Sequence, residues 1–272
     1  MPELPEVETL KRCLQNSIIG TTITKVILKR KDLRHNLPQD LSIKALSAKI
    51  LALRRIAKYL LLDLDNGYSI VVHLGMSGRF TIRPPDYQLL KHDHVIFVLG
   101  CGSMLVFNDA RRFGMIDICL SANIQSKISS KLGPDPLSEQ FNAKYLKEKF
   151  INRKIPIKTA LMDNAIVVGI GNIYASESLF LAGINPERKS CNLTDSELAS
   201  LVTSIKVTLE KAISAGGTTL KDFVSGDNKP GYFKQELAVY SKQGNKCPRC
   251  DNMIVKIKQC GRASFYCPIC QK

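Results

Sequence analysis

Two cysteine pairs near the carboxyl end, Cys247-Pro-Arg-Cys250 and Cys267-Pro-Ile-Cys270, constrain this chain more than any other feature. Sixteen residues separate the pairs, a spacing that brings four thiolates around one tetrahedral Zn²⁺. With four sulfur ligands and no water, the metal would be structural, folding a tail that has little core of its own. Between the pairs, Lys256 to Tyr266 has two β-like ends flanking Gly261-Arg262-Ala263, which predicts a hairpin ribbon with Arg262 at its tip, suited to reach a phosphate. The other five of the nine cysteines, Cys13, Cys101, Cys119, Cys191 and Cys260, are scattered, which argues against a secreted disulfide scaffold.

The remainder of the chain reads as two regions. Val7, Leu10, Leu14 and Ile18 recur at steps of three and four, with Pro5 placed for a first turn and Gly20 for the stop, so an amphipathic helix is expected over 5–19. Short β-rich runs follow at Thr22–Leu28, Tyr59–Leu64, Ser69–Leu74, Val95–Leu99 and Met115–Cys119, the pattern of a β-sandwich or barrel. Turn residues concentrate in Lys131-Leu-Gly-Pro-Asp-Pro136 and mark a domain boundary. Beyond it, helices are expected at 138–150, 156–164 and 172–182. Another should begin at Thr194, whose capping box with Glu197 satisfies exposed amides, and run to Gly216-Gly217. The tail from about Glu236 is strand and turn again. The expected divisions are therefore 1–131, 132–235 and 236–272.

The 272 residues are 44% hydrophobic, enough for packed cores. Lysine and arginine outnumber aspartate and glutamate by 39 to 24, a formal charge of +15, which favours a polyanionic partner, nucleic acid first. There is no long apolar run, and the first twenty residues carry three glutamates in place of a basic-then-apolar leader, so a soluble cytoplasmic chain without a membrane partner is expected.

The amino terminus offers unusual chemistry. Removal of Met1 exposes the secondary amine of Pro2. A terminal amine titrates roughly 2.5 units below a lysine ammonium, so more of it is neutral and nucleophilic near pH 7. Attack on an aldehydic carbon gives an iminium that is charged without needing a proton and labilises the adjacent C–H. Glu3 adjoins this amine and Glu6 lies one helical turn on, placing carboxylates where proton transfer is required. The same residues also suit a plain helix entry with acids matched to the dipole.

The ordered motifs Met1-Pro-Glu-Leu-Pro-Glu-Val-Glu-Thr9, Arg54-Arg-Ile-Ala-Lys-Tyr-Leu60, His73-Leu-Gly-Met-Ser-Gly78, Lys91-His-Asp-His94, Asn108-Asp-Ala-Arg-Arg-Phe-Gly114, Gly169-Ile-Gly-Asn-Ile-Tyr-Ala-Ser-Glu177, Gly216-Gly-Thr-Thr-Leu220 and Arg262-Ala-Ser-Phe-Tyr-Cys267 span the chain. In them it resembles the bacterial formamidopyrimidine-DNA glycosylases. The resemblance implies an α+β multidomain fold: an N-terminal β-sandwich flanked by helices, then a helical domain with a helix-two-turn-helix and a zinc-ribbon β-hairpin finger holding one structural Zn²⁺. It implies a monomeric bacterial repair enzyme, working at the nucleoid on double-stranded DNA containing oxidised purines such as 8-oxoguanine and formamidopyrimidines, with both glycosylase and AP lyase activity.

Residue by residue, the resemblance places the nucleophile on Pro2, the proton-transferring carboxylate on Glu3 and a supporting acid on Glu6. Lys58 matches the lysine of the catalytic pocket, and Arg262 the finger arginine that binds the phosphates flanking the lesion. A stacked base cannot be attacked at C1′, so the nucleotide must be flipped out and its gap filled. Met76, Arg111 and Phe113 match the gap-filling residues, with Arg111 hydrogen-bonding the orphaned cytosine. Asn172, at a predicted helix start, matches a phosphate-contacting asparagine, while Arg153, Lys158 and His92 match backbone-contacting residues. The stretch Ser225 to Tyr232 would cap the flipped base. Ala110 departs from the proline common before the paired arginines, and Cys260 adds an oxidisable thiol beside the finger tip. Leu4, where the related endonuclease VIII typically has glycine, and the wedge set both favour the purine enzyme.

Overall fold

The computed structural model describes residues 2–218 and 233–272; the expected capping stretch at 225–232 lies outside the described residues. The chain forms two compact units, Met1–Ser130 with Ala215–Lys234, and Lys131–Ser214 with Gln235–Lys272.

The first unit runs α1 (Leu4–Ile18), β1 (Ile23–Leu28), α2 (Leu41–Ala45), β2 (Ile50–Ile56), β3 (Tyr59–Leu64), β4 (Tyr68–His73), β5 (Arg79–Arg83), β6 (Asp93–Leu99), β7 (Met104–Asn108) and β8 (Met115–Leu120). Its strands form two four-stranded antiparallel sheets, ordered β1-β6-β7-β5 and β2-β3-β4-β8. Inward residues of both, among them Leu60, Leu62, Ile70 and Val72 from one and Phe80, Phe97, Leu105 and Phe107 from the other, share one core with Val7, Leu10, Leu14 and Ile18 of α1. The apolar stripe that predicts α1 is thus the face it buries, and the architecture is the sandwich, with the barrel alternative set aside.

Three strands were not expected from the sequence. β7 reads Met-Leu-Val-Phe, a continuous apolar run that periodicity cannot separate from a buried helix. β2 carries the adjacent Arg54 and Arg55, which interrupt the usual alternation, while β5 alternates but is only five residues long with an arginine at each end. Arg55 has a specific task. Its Nε donates to Glu8 Oε2 of α1 at 2.9 Å and its Nη1 to the Ala57 carbonyl at 3.2 Å. The guanidinium therefore ties α1 to the two-residue turn Ala57–Lys58, where Ala57 adopts φ 52°.

The second unit contains α3 (Ala143–Phe150), α4 (Ile157–Leu161), α5 (Asn172–Ala182), α6 (Asp195–Ser214), β9 (Val255–Gln259) and β10 (Arg262–Tyr266). α5 occupies the expected span. α6 has the expected capping box: Thr194 N donates to Glu197 Oε2 at 2.8 Å and Glu197 N to Thr194 Oγ1 at 3.3 Å. The helix expected over 138–150 starts later, because Asn142 caps it by accepting from Tyr145 N at 2.9 Å. The one expected over 156–164 is shorter, ending at Leu161.

β9 and β10 make the expected antiparallel hairpin, but Arg262 is not at its tip. Cys260 and Gly261 take the turn with φ 47° and 78°, the positive pair a two-residue hairpin turn needs. Arg262 instead opens β10 opposite Gln259. The finger is fastened to α5 at two places. Buried Glu177 accepts from the backbone N–H groups of Ala238, Val239 and Tyr240 at 2.8, 3.0 and 2.7 Å; burial pushes its carboxyl upward against these donors. Arg249 donates to the carbonyls of Phe180 and Leu181 at 2.9 and 3.1 Å, a cation on the helix's carboxyl end. Among the described residues, no helix is long and apolar enough to cross a membrane.

Burial alone would raise the Glu8 carboxyl, but Lys11 and Arg55 outweigh it and hold the group at about 2. A depressed folded-state value contributes stability above the unfolded value and loses it as pH falls towards the folded one. Thermal unfolding at successive pH values should therefore show this contribution declining as pH drops from about 4.5 towards 2. Arg55→Ala should cost about 2 kcal/mol at neutral pH and flatten that acid limb.

Candidate functional site

In the first unit, α1 begins directly after the residues expected to react. Glu3 is its N-cap, and Glu6 Oε2 accepts from Glu3 N at 2.8 Å in a capping box. The other oxygen of Glu6 accepts from Thr218 N at 2.8 Å. Gly217, at φ 81°, lies so near that an added Cβ would meet Glu6 Oε1 at 3.2 Å. Pro2, Glu3 and Glu6 are all buried, the two acids at 3% and 2% exposure. Both oxygens of Glu6 are thus occupied by backbone N–H groups. That makes it a brace for the terminus, with Glu3 next to the Pro2 nitrogen through the chain itself.

Lys58 is half-buried in the β2–β3 turn that Arg55 fastens to α1. Nearby His73, quoted in a motif but not singled out as a site residue, takes Gly75 N–H on Nδ1 at 3.0 Å and packs its ring 4.9 Å from that of Tyr59. Burial, then the charges of Lys58 and Arg34, lower its pKa to about 4. It is therefore neutral near pH 7 and, with Nδ1 accepting, carries its proton on Nε2.

The proposed gap-filling residues sit on two adjacent loops of this unit. Met76 is half-buried in the 74–78 turn, closed by Gly78 N to Leu74 O at 2.8 Å. Arg111 and Phe113 occupy the 109–114 loop. Phe113 is 45% exposed, where its residue type alone would suggest core, and the Arg111 guanidinium lies 5.0 Å from its ring centre. His92 adjoins the same loop, its carbonyl accepting from Asp109 N at 3.0 Å.

In the second unit, Lys158, Asn172 and the β10 strand form one polar knot. The Lys158 ammonium donates to Asn172 Oδ1 at 2.6 Å, the Ala263 carbonyl at 2.9 Å and Ser264 Oγ at 2.7 Å, while Asn172 Nδ2 donates to the same carbonyl at 2.9 Å. An ammonium has three donors, and Lys158 is 2% exposed. Two of these acceptors lie on β10, about a hundred residues further along the chain, where a local reading of Ile-Pro-Ile-Lys does not reach. Arg262 is exposed beside this knot, its Nη1 3.9 Å from Met162 Sδ, on a cleft of about 390 Å³ that Lys158, Met162 and Cys260 also line. Arg153 is half-buried, 3.7 Å from Asp163.

The Sγ atoms of Cys247, Cys250, Cys267 and Cys270 lie within 4.8 Å of one another, with Cys250–Cys267 at 3.4 Å and Cys247–Cys270 at 3.8 Å. Four Zn–S bonds of about 2.3 Å in a tetrahedron space the sulfurs by about 3.8 Å, so the set fits one zinc ion.

Residues 1–116 match the family model of the formamidopyrimidine-DNA glycosylase N-terminal domain, 132–224 that of its H2TH domain, and 244–272 the zinc finger found in FPG and IleRS. The chain belongs to the formamidopyrimidine-DNA glycosylase family of base excision repair. Glycosylases of this name from Rickettsia bellii (strain OSU 85-389) and Rickettsia felis are 53% and 54% identical to it, covering all of this chain and 100% and 98% of theirs. Among solved structures, a Lactococcus lactis FPG point mutant in complex with Fapy-dG containing DNA superposes with a TM-score of 0.92 at 33% identity, with full coverage of both chains. The same organism's Fpg with abasic-site DNA gives 0.92 at 33% identity and 99% coverage of each.

Native mass spectrometry should find one zinc per chain, absent from Cys250→Ala. Lys158→Ala strips a buried donor from three acceptors and should lower stability by about 3 kcal/mol in thermal or urea unfolding.

Proposed function

We propose that this glycosylase excises oxidised purines, 8-oxoguanine and formamidopyrimidines, from duplex DNA and then cleaves the strand as an AP lyase. The observation that carries this reading is the buried Pro2–Glu3 pair at the head of α1, braced by a Glu6 whose two oxygens are already engaged. With Met1 removed, the Pro2 nitrogen attacks C1′ of the damaged nucleotide, forming the N–C bond as the C1′–N bond to the base breaks; the base leaves with that electron pair and takes up the proton the prolyl nitrogen gives off. Opening of the sugar ring with proton transfer from Glu3 gives the iminium. Loss of a C2′ proton then expels the 3′ phosphate by β-elimination, and δ-elimination expels the 5′ phosphate.

Lys58 supplies positive charge to this pocket, and Arg262 binds phosphates flanking the lesion. Met76, Arg111 and Phe113 fill the gap, Arg111 pairing with the cytosine opposite. Asn172, Arg153 and His92 hold the DNA backbone. In this reading Lys158 acts by positioning, since it secures Asn172 and the strand that Arg262 opens. Lactococcus lactis Fpg, similar to this chain in structure, is held in complexes with Fapy-dG containing DNA and with abasic-site DNA, which supports the substrate class.

A zinc-ribbon protein that binds damage without catalysis would keep the cysteines and basic residues but have no use for a free Pro2 amine. Borohydride added during incubation with 8-oxoguanine duplex separates the two. A covalent protein–DNA adduct is expected, and its absence with protein lacking Met1 would overturn the enzyme reading. Arg111→Ala should lose most of its preference for cytosine opposite the lesion, a drop of about tenfold or more; an unchanged preference would refute its role in the gap.

A further inference from the structure

The loops carrying Met76 and Arg111–Phe113 are joined by one buried carboxylate. Asp109 has no solvent exposure, and all of its polar atoms are engaged. Its Oδ1 accepts from Ser77 Oγ at 2.5 Å and Arg111 N at 3.3 Å, and its Oδ2 from Gly114 N at 2.7 Å. Ser77 Oγ lies 3.2 Å from Arg111 N, so hydroxyl and carboxylate meet at the same amide. The Asp109 N–H donates to the His92 carbonyl at 3.0 Å, and the Asp109 carbonyl takes His94 Nε2 at 2.8 Å.

Backbone packing independently locks the same two loops. Gly75, at φ 62°, sits so close to the other loop that a Cβ would fall 2.3 Å from the Phe113 carbonyl carbon and 2.5 Å from Gly114 N. A Cβ on Gly114 would lie 3.0 Å from Asp109 Oδ2 and 2.5 Å from the Phe107 ring. Within the loop, Arg112 holds φ 58°, a conformation costly for a residue with a Cβ. Ala110 gives none of the φ restriction that proline would supply there, which leaves the hydrogen bonds of Asp109 and the close packing at Gly75 and Gly114 to fix the loop's shape.

We propose that Asp109 is a positioning residue for lesion recognition: it clamps the Met76 turn to the Arg111–Phe113 loop so that gap filling and reading of the opposite base occur as a single insertion. This rests on the gap-filling role proposed above for those three side chains. Asparagine at 109 is a poor substitute. With its oxygen kept on the Gly114 N–H, its NH₂ displaces the Arg111 N–H from that side and forces the Ser77 hydroxyl to turn from donor to acceptor, so the direct link from residue 109 to the Arg111 amide is lost.

The test compares single-turnover excision of 8-oxoguanine paired with cytosine and with adenine in wild type, Asp109→Asn, Arg111→Ala and the double variant, with thermal unfolding as the check of fold. Asp109→Asn should reduce the cytosine-to-adenine ratio by about tenfold, and the double variant should fall no lower than Arg111→Ala alone, because the two act through one insertion. A folded Asp109→Asn with the wild-type ratio, beside an Arg111→Ala that loses it, overturns the clamp and leaves the gap-filling reading intact. An unchanged ratio in Arg111→Ala overturns both. Where Asp109→Asn does not fold, Ser77→Ala decides: a fall of about threefold supports the clamp, and a wild-type ratio refutes it.

Discussion

A nucleophile at the end of a chain can be held from one side only. An internal catalytic residue is fixed by backbone before and after it, whereas the proposed nucleophile, Pro2 with Met1 removed, is held by α1, which follows it. The task of fixing it falls to Glu6, whose carboxylate takes the Glu3 N–H with one oxygen and the Thr218 N–H with the other. This couples the head of α1 to a segment more than two hundred residues away. It also separates the two acids near the terminus: the Glu6 carboxylate is taken up in bracing, and the proposed mechanism gives Glu3, beside the amine, the proton transfer.

The same logic of carboxylates spent on backbone and guanidinium groups recurs through the molecule. Glu8 and Arg55 fasten α1 to the turn bearing Lys58. Glu177 gathers three N–H groups at the root of the finger, and Asp109 joins the turn bearing Met76 to the loop bearing Arg111 and Phe113. A chain with a charge of +15 therefore spends several of its scarce acids inside, where each has its donors in place. Its exposed charge is left predominantly basic, suited to a polyanion.

Much of this was legible in the sequence because the signals were local. The cysteine spacing, the Thr194–Glu197 capping box and the apolar stripe of α1 each depend on neighbours within a few residues or on a simple period. The misses share the opposite property. β2 and β5 carry arginines whose partners or exposure are settled by other strands. Lys158 shows no acceptor in its own neighbourhood until the fold brings Asn172, Ala263 and Ser264 to it. Phe113 looks like core until the fold leaves it at the surface. Arg262 was misplaced at the tip because Cys260, a non-glycine residue at positive φ, takes the turn with Gly261. Motif resemblance singled out Pro2, Glu3 and Lys58 where local physics alone read the first residues as a plain helix entry.

The claim on which everything else rests is that the attacking atom is the Pro2 nitrogen. Its most direct test is to reduce the intermediate formed with 8-oxoguanine duplex, digest the protein with trypsin and locate the attached sugar by tandem mass spectrometry. The account predicts the sugar on the amino-terminal peptide that begins at Pro2, bonded to the prolyl nitrogen. Attachment to Lys58, or to any other lysine, would contradict it.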